Sequence, residues 1–345
     1  MQYQDGPDIL YHRRDLTDEG LVGLLTCEDP EVLEALYARA RQVAQERFGN
    51  EVFLRGLVEW SNVCRNDCLY CGIRRSNAAI GRYSLSPEEI LSCTETLYQA
   101  GLRTVVLQGG ENPAGALQLV DTVAQIRRRW PDLAITLSLG ELPFSTYAAL
   151  RKAGADRYLL RHESASPAHY ARLHPAGMRL EHRLDCLKEL RRLGFQTGMG
   201  MMVGSPYQTV EHLVADIRLI REFAPEMIGI GPFVPQKDTP LGTFPAGSPT
   251  LTLKLYAILR LMLPDALIPA TTALATLLPD GRKKGILAGA NVIMPSFTPE
   301  RVRDHYQLYG NKSHEALEAI LNDLASIGYA ASASRGDYCK HEDHV

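Results

Sequence analysis

Residues 55–75 read RGLVEWSNVCRNDCLYCGIRR, a short β-rich run that leads directly into a loop with three of the chain's seven cysteines. Within a strand, residues two apart share a face. One face of this run carries Arg55, Leu57, Glu59 and Ser61. The other face carries Val58 and Trp60, as a face covered by helices requires. The polar face is therefore expected to point into the lumen of a barrel.

On both sides of this stretch, β-rich runs alternate with amphipathic helical stretches. Strands are predicted near residues 53–60, 103–107, 134–138, 157–161, 195–202, 227–230, 267–270 and 290–294. Helices are predicted near residues 87–100, 114–129, 145–152, 180–193, 209–222, 250–262 and 280–287. Regular alternation predicts a parallel sheet of the α/β class, and this number of strands predicts a closed (β/α)8 TIM barrel.

The two ends of the chain lie outside the barrel count. Residues 1–50 have the apolar spacing of helices and are expected to form an N-terminal helical extension. The barrel is expected to span residues 51–295. Residues 296–345 are expected to form a C-terminal extension that caps the barrel. No linker rich in Gly, Pro or Ser separates these parts, so we expect one domain with extensions.

Composition limits the classes of function. The 345 residues include 37 Lys and Arg and 40 Asp and Glu, so there is no basic excess of the kind that nucleic-acid binding uses. No uncharged apolar run approaches the roughly 18 residues of a membrane span. The first residues lack the apolar core of a signal peptide. We therefore expect a cytoplasmic protein that binds neither nucleic acid nor membrane.

Charged residues continue on the lumen faces of the third and fourth strands. The third strand places Thr136, Ser138 and Gly140 on one face, and the fourth places Arg157, Leu159, Arg161 and Glu163 there. A buried charge costs several kcal/mol unless it is paired. A lumen with so many polar groups indicates a cavity for a polar, partly anionic ligand. The alternative is an internal salt-bridge network, such as Arg55 with Glu59.

The cysteine loop has the spacing C-x₃-C-x₂-C, formed by Cys64, Cys68 and Cys71. It follows the first strand, at the end of a barrel where active sites lie. Three thiolates can hold three irons of a [4Fe–4S] cluster and leave the fourth iron open to another ligand. A structural zinc site would need a fourth ligand, which the loop lacks. A redox pair, or three unrelated buried cysteines, are the remaining alternatives.

With this loop the chain resembles the radical S-adenosylmethionine (SAM) enzymes. The resemblance implies that SAM chelates the open iron, and that one-electron reduction cleaves it to methionine and a 5′-deoxyadenosyl radical. Tyr70 matches the aromatic position that approaches the adenine. Gly109, Gly110 and Glu111 match the GGE motif of the family, in which Gly110 and Glu111 would receive the methionine amino group.

Further stretches narrow the resemblance to the HydE family of [FeFe]-hydrogenase maturases. They are NVCRNDCLYCGIRR, TLSLGE, GADRYLLRHESA, GIGPFVPQKDTP, IPATTA, GANVIMPSFTP and YQLY, and they run from about residue 55 to 310. By this resemblance, the residues that contact SAM are Ser138, Glu163 and Arg183. By the same resemblance, the residues that would line the substrate cavity and act in catalysis are Arg157, Arg161, Thr271, Thr272 and Tyr306.

The resemblance also implies a function and its partners. The enzyme would act in assembly of the [FeFe]-hydrogenase H-cluster, on an Fe/CO/CN cysteine precursor. It would need an electron donor such as ferredoxin or flavodoxin, and it would work with other hydrogenase maturases. Some HydE proteins carry three more cysteines near the C-terminus for an accessory cluster, whereas Cys339 stands alone here. One [4Fe–4S] cluster per chain is therefore expected.

Two alternatives stay open at the level of sequence. The first is another enzyme of the same subgroup, either methylornithine synthase-like or biotin synthase-like. Biotin synthase holds a second cluster with lumen cysteines, and no matching set lies on these strands. The second is an iron–sulfur cluster carrier, although a carrier would not need the GGE motif or a charged lumen.

Overall fold

The computed structural model describes residues 5–312 and 315–341. The strands are β1 (Glu51–Leu54), β2 (Gly56–Ser61), β3 (Thr104–Gly109), β4 (Ala134–Ser138), β5 (Arg157–Leu159), β6 (Gln196–Met199), β7 (Met202–Val203), β8 (Met227–Ile228), β9 (Gly231–Pro232), β10 (Val292–Ile293) and β11 (Ala330–Ser332). The first six helices are α1 (Gly6–Arg13), α2 (Asp18–Thr26), α3 (Pro30–Phe48), α4 (Pro87–Gln99), α5 (Pro113–Arg129) and α6 (Phe144–Lys152). The later helices are α7 (Pro167–Leu173), α8 (Leu180–Arg192), α9 (Val210–Phe223), α10 (Pro249–Met262), α11 (Thr272–Leu277), α12 (Gly281–Leu287), α13 (Glu300–Arg303) and α14 (Leu317–Ser326).

The strands close into a parallel barrel. Strands β2, β3, β4, β5, β6 and β8 pair in that order. Parallel bridges from Met227 to Leu267 and from Pro269 to Val292 continue the ring to β10. Each of the eight strand positions around the ring is called a stave, and β1 and β2 together form the first stave. Strand β10 pairs with β1, and this pairing closes the barrel. The predicted (β/α)8 fold is confirmed.

The structure differs from the predicted strands at two staves. Residues 267–270 take part through isolated bridges and form no continuous strand. The first stave is interrupted at Arg55, between β1 and β2. Before this break along the chain, β1 pairs with β10 and β11. After the break, β2 pairs with β3. The break lets one stave serve both the closure of the barrel and the attachment of the C-terminal tail.

Helices cover the outer face of the ring, as the apolar faces of the staves require. Val58, Trp60, Tyr158 and Leu160 belong to the main hydrophobic core. The helices that follow the first two barrel strands begin at side-chain caps. Ser86 forms a capping box with Glu89 at α4, and Asn112 accepts a hydrogen bond from Gly115 at α5. These caps stop the loops at the upper ends of the staves and fix their length.

The two ends of the chain pack on different parts of the barrel. Helix α3 lies against α10 on the outside. Strand β11 pairs with β1 in parallel, from Glu51 opposite Ala330. The tail therefore reaches the amino ends of the staves, opposite the end that carries the cysteine loop. The boundaries at residues 50 and 295 stay a prediction.

Candidate active site

A cavity of about 320 Å³ opens at the carboxyl ends of the staves. This volume falls in the range of roughly 300–1,000 Å³ that small-molecule sites occupy. Among the predicted site residues, those that line it are Cys64, Tyr70, Cys71, Gly110, Glu111, Ser138, Arg161, Glu163, Arg183, Thr271, Thr272 and Tyr306. Two predicted residues, Cys68 and Arg157, are not in its lining. The site is thus one space shared by the cysteine loop and the barrel lumen.

Internal hydrogen bonds hold the cysteine loop in shape. Asp67 lies between the cysteines, and its Oδ1 accepts hydrogen bonds from the backbone N–H of Ser76 at 2.9 Å and from Arg74 Nε at 3.1 Å. The hydrogen bond from Ser76 and the charge of Arg74 lower the pKa of Asp67 to about 2. The ionised carboxylate therefore ties the segment between the first two cysteines to the segment that follows the last one.

Burial raises the pKa of all three loop thiols, and that of Cys71 reaches about 12. In residues 5–312 and 315–341, no group of three or more His, Cys, Asp or Glu side chains is arranged to hold a single metal ion. In an iron–sulfur cluster each iron takes its own thiolate, so the ligands lie further apart than around one ion. The three soft thiols of the loop fit a cluster.

The glycines of the GGE motif allow two chain segments to touch. A Cβ on Gly110 would lie 2.4 Å from the carbonyl oxygen of Val63 and 2.8 Å from Cβ of Cys64. The N–H of Gly110 donates to the carbonyl oxygen of Ser61 at 3.0 Å. Only a residue without a side chain can therefore bring the end of β3 against the cysteine loop.

Glu111 connects three parts of the site. Its Oε1 accepts from Arg65 Nε at 2.8 Å, and its Oε2 accepts from the backbone N–H of Glu141 at 2.7 Å. Its carbonyl oxygen accepts from the N–H of Arg65 at 2.8 Å. The carboxylate therefore ties the cysteine loop to the end of β4, a role that its predicted contact with the methionine amino group did not include.

Arg161 and Glu163 project into the cavity from the end of β5. Arg161 Nη2 lies 3.0 Å from Glu163 Oε2, but both atoms are buried without a hydrogen-bond partner. Arg161 Nε is also buried and unpartnered. These atoms form an ion pair by distance and not by hydrogen-bond geometry. A polar ligand in the cavity would satisfy them, so the residues fit the predicted binding of SAM and substrate.

Arg183 is held at the edge of the cavity by a residue that the sequence did not single out. Its Nε donates to Glu141 Oε1 at 2.5 Å, and its Nη1 donates to the carbonyl oxygen of Arg161 at 2.8 Å. Glu141 follows Ser138 and Gly140 past the end of β4. The signal was present in the segment TLSLGE, because a carboxylate just after a barrel stave lies at the active-site end.

A buried histidine supports Tyr70. His174 stacks on Tyr170 with ring centroids 3.9 Å apart, and burial lowers the pKa of His174 to about 3. The ring is therefore neutral. Its Nδ1 donates to the carbonyl oxygen of Tyr170 at 2.9 Å, so its Nε2 accepts from the Tyr70 hydroxyl at 3.3 Å. No sequence pattern indicated this contact, since His174 is far from Tyr70 along the chain.

The opposite wall of the cavity also carries charge. Lys312 forms an ion pair with Glu59, and its ammonium lies 5.1 Å from the ring centre of Tyr306. The Thr298 hydroxyl donates to Glu59 Oε2 at 3.0 Å. Lys312 lies beyond the predicted barrel, and sequence reasoning missed it. Glu59 was placed on the lumen face, and that prediction is confirmed.

The threonines at the seventh stave have unequal positions. Thr271 caps helix α11 by accepting from the N–H of Leu274 at 3.4 Å, and its hydroxyl lies 3.3 Å from that of Tyr256. Thr272 is the first residue of the helix and also lines the cavity. The pair therefore stands where a helix begins, which favours negative groups nearby.

Arg157 corrects the sequence prediction. It was expected to line the substrate cavity, but it is fully buried at the amino ends of the staves. Its Nη2 donates to Asp337 Oδ1 at 2.6 Å, and its Nη1 donates to Thr104 Oγ1 at 3.1 Å. The reason is its position at the start of β5, four residues below Arg161. The alternation of side chains along the strand predicts that Arg157 faces inward, but it does not predict how far along the barrel axis the side chain lies.

The alternative pairing of Arg55 with Glu59 is also not found. Arg55 Nη1 contacts Met227 Sδ at 3.1 Å and its Nη2 donates to the carbonyl oxygen of Gly336 at 3.4 Å.

Cys27, Cys93 and Cys186 are free and buried, and Cys339 is free and exposed. None of the helices in the described ranges is both long and apolar enough to cross a membrane.

Comparisons with known proteins agree with this geometry. A family model described as the radical SAM superfamily matches residues 58–220. The chain is 46% identical over 301 residues to the [FeFe] hydrogenase maturase subunit HydE of Thermotoga maritima, which covers 87% of this chain and 86% of that protein. It is 33% identical over 316 residues to 3-methylornithine synthase of Methanosarcina barkeri, covering 90% of this chain and 87% of that protein.

A solved structure of methylornithine synthase (PylB) superimposes with a TM-score of 0.84 at 29% sequence identity, and covers 95% of this chain and 97% of that chain. The likeness in sequence and fold thus extends over most of the chain. The chain belongs to the radical SAM superfamily, as a HydE-like enzyme that uses a [4Fe–4S] cluster and S-adenosylmethionine.

Proposed function

We propose that this enzyme reductively cleaves SAM to a 5′-deoxyadenosyl radical and takes part in assembly of the [FeFe]-hydrogenase H-cluster, acting on an Fe/CO/CN cysteine precursor. The observation that carries the proposal is the 46% identity to the HydE maturase subunit over nearly the whole of both chains. The cavity supports it, because it joins the cysteine loop to a polar lumen of small-molecule size.

The cavity divides between the two ligands by its chemistry. Cys64, Cys68 and Cys71 would hold the cluster, which supplies one electron for the cleavage of SAM. Tyr70, Ser138, Glu163 and Arg183 would contact SAM, with Gly110 and Glu111 at its amino group. The side chains that remain for the substrate are Arg161, Thr271, Thr272 and Tyr306. The barrel walls keep water away from the reacting groups.

Arg161 is the residue best suited to the cysteine end of the substrate. A guanidinium binds a carboxylate with two parallel hydrogen bonds, and such bonds are stronger than neutral ones. Its Nε and Nη2 are buried without hydrogen-bond partners. A carboxylate between Arg161 and the two threonines would meet unused guanidinium donors on one side and hydroxyl groups on the other.

The second candidate is a methylornithine synthase-like reaction, which the similarity to that enzyme in sequence and fold favours. Its substrate class would be an amino acid without metal. A cluster carrier fits less well, since a carrier has no use for a cavity lined by buried polar atoms without hydrogen-bond partners. Cytoplasmic location, reduction by ferredoxin or flavodoxin, and cooperation with other maturases belong to the main proposal.

The test begins with anaerobic reconstitution, reduction with dithionite and addition of SAM. A change in the electron paramagnetic resonance (EPR) spectrum on SAM addition, together with 5′-deoxyadenosine, is expected. The reconstituted enzyme is then added to a maturation mixture that lacks only the HydE component, and hydrogen evolution by the apo-hydrogenase is measured. Restored hydrogen evolution supports the proposal. SAM cleavage that is stimulated by a free amino acid and not by the iron complex, with 3-methylornithine as the product, would favour the second candidate.

A further inference from the structure

The cysteine loop is closed by one arginine that neither the resemblance nor the comparisons assign. Arg82 lies beyond the loop, just before α4. Its Nη1 donates to the carbonyl oxygens of Asn62 at 2.7 Å and Ile73 at 2.8 Å. Its Nη2 donates to those of Arg74 at 2.5 Å, Arg75 at 3.3 Å and Asn77 at 3.1 Å. One side chain thus binds five carbonyl oxygens.

These oxygens come from both ends of the loop. Asn62 precedes the first cysteine by two residues, and Ile73 follows the last cysteine by two residues. The guanidinium therefore joins the entry of the loop to its exit. A planar group with five donors can satisfy several acceptors that lie in one plane, whereas an ammonium on a flexible stem cannot fix them in the same way.

The side chain of Asn62 completes the arrangement from the other direction. Its Oδ1 accepts from the N–H of Tyr83 at 2.8 Å, and its Nδ2 donates to the carbonyl oxygen of Gly81 at 2.8 Å. Asn62 thus binds the backbone on each side of Arg82, while Arg82 binds the backbone of Asn62. Asn62 is completely buried, so this half of the contact is shielded from water.

We propose that Arg82 is the positioning residue of the cluster site: with Asn62 it closes the cysteine loop and holds the three thiols ready for the cluster before any iron is bound. Without this contact, the loop from Asn62 to Asn77 would have to be ordered at the moment of binding. Fixing the backbone of a flexible residue costs conformational entropy. A preformed loop has met that cost during folding.

The proposal rests on cluster binding by the loop and not on the identity of the substrate. It is tested with two variants. Arg82→Gln removes both the charge and the planar guanidinium group, whereas Arg82→Lys keeps the charge but lacks the planar group. Arg75→Gln is the matched control. Arg75 lies on the same loop with 69% of its side chain exposed, and it pairs with the Asp67 side chain at 3.4 Å.

The first readout is hydrogen exchange of residues 66–77 in the iron-free protein. The N–H of Arg75 donates to the carbonyl oxygen of Asn66 at 2.8 Å, and this bond reports closure of the loop. We expect exchange about tenfold faster in both Arg82 variants, as the loss of a hydrogen bond of about 1–1.5 kcal/mol implies. The Arg75→Gln control is expected to exchange like the wild-type protein. The thermal midpoint of the Arg82 variants is expected to fall by only a few degrees, so that faster exchange of these residues reports local opening of the loop and not global unfolding.

The second readout is iron bound per chain after a fixed reconstitution time. Both Arg82 variants are expected to bind less iron than the control. Iron loading and exchange equal to the wild-type values in Arg82→Gln would overturn the proposal. Full rescue by Arg82→Lys would also overturn it, since charge alone would then suffice. Normal iron loading together with a loss of SAM cleavage would overturn it as well, because the arginine would then act after cluster binding.

Discussion

Glu163 takes a left-handed backbone conformation, with φ at 67°, and its carboxylate lies 3.0 Å from the guanidinium of Arg161. A non-glycine residue in this region costs about 1–3 kcal/mol and persists only where the surroundings impose it. The neighbours do so here. His162 and Ala165 both bind Oδ1 of the buried Asp216, at 3.0 Å and 2.5 Å. The strained turn presents two opposite charges to the cavity.

Replacement of Arg161 by Gln is expected to weaken use of the iron–cysteine substrate by about tenfold to a hundredfold, because a hydrogen bond to a charged group contributes about 1.5–3 kcal/mol. The measurement is substrate-dependent formation of 5′-deoxyadenosine over a range of substrate concentrations. Arg128→Gln, on the exposed face of α5, is the control. Unchanged substrate dependence in Arg161→Gln would remove Arg161 from the substrate site.

Asp216→Asn is expected to weaken SAM binding, although it replaces none of the residues assigned to the substrate site. The change takes charge from a carboxylate that orders the turn around Glu163, so the turn relaxes toward ordinary backbone angles. A loss of about tenfold in SAM affinity corresponds to the lower end of a charged hydrogen bond. SAM titration followed by EPR measures it. Asp185→Asn, at a site with 59% of the side chain exposed, should bind SAM normally.

The sequence predicted the barrel because alternation of strand and helix is a local signal, and each stave carried its own. It also predicted the lumen faces, as Leu57, Glu59 and Ser138 show. The sequence did not predict how far along the barrel axis each inward residue lies. Arg157 and Arg161 share a face of one stave, but only Arg161 reaches the cavity, and this difference depends on how the staves stagger.

Contacts between distant segments were also beyond sequence reasoning. Lys312 reaches Glu59 and Asp337 reaches Arg157, in each case from the segment after the barrel. No periodicity connects these positions. The cysteine loop was easier, since three ligands within eight residues form a local pattern. The contacts of Arg82 with this loop span at most 20 residues, but no residue pattern indicates which backbone oxygens an arginine will reach.

The pH dependence of stability is expected to carry a signature of His174. Its pKa in the folded protein is about 3, whereas an unfolded histidine titrates near 6.5. As pH falls below about 6.5, the unfolded chain takes up a proton that the folded chain does not, so unfolding becomes more favourable. The contribution grows toward pH 3, with a slope of at most about 1.4 kcal/mol per pH unit.

Urea unfolding of the iron-free protein at several pH values checks this effect by difference. His174→Gln should show a weaker loss of stability between about pH 6.5 and pH 4 than the wild-type protein, since glutamine has no proton to take up. His12→Gln, at an exposed position, should follow the wild-type curve. Parallel curves for wild type and His174→Gln would show that the histidine is protonated in the folded state.

Asp337 is expected to stabilise the fold from the end of the barrel opposite the active site. Its Oδ1 accepts from Arg157 Nη2 at 2.6 Å and from Gln196 Nε2 at 3.2 Å. Asp337→Asn would leave the buried guanidinium of Arg157 without its carboxylate. The expected loss is about 1.5–3 kcal/mol, toward the lower value because 34% of the Asp337 side chain is exposed.

The matched control is Asp323→Asn, whose carboxylate pairs with Lys283 at 3.3 Å with 43% of its side chain exposed. Exposed pairs contribute about 0–1 kcal/mol, so this variant should change the urea midpoint little. Equal midpoints for the two variants would contradict a stabilising role for Asp337. Because the pair lies at the amino ends of the staves, Asp337→Asn should keep normal iron content and SAM affinity at temperatures where it is folded. A loss of stability without a loss of binding would separate the tail's structural role from the chemistry at the other end of the barrel.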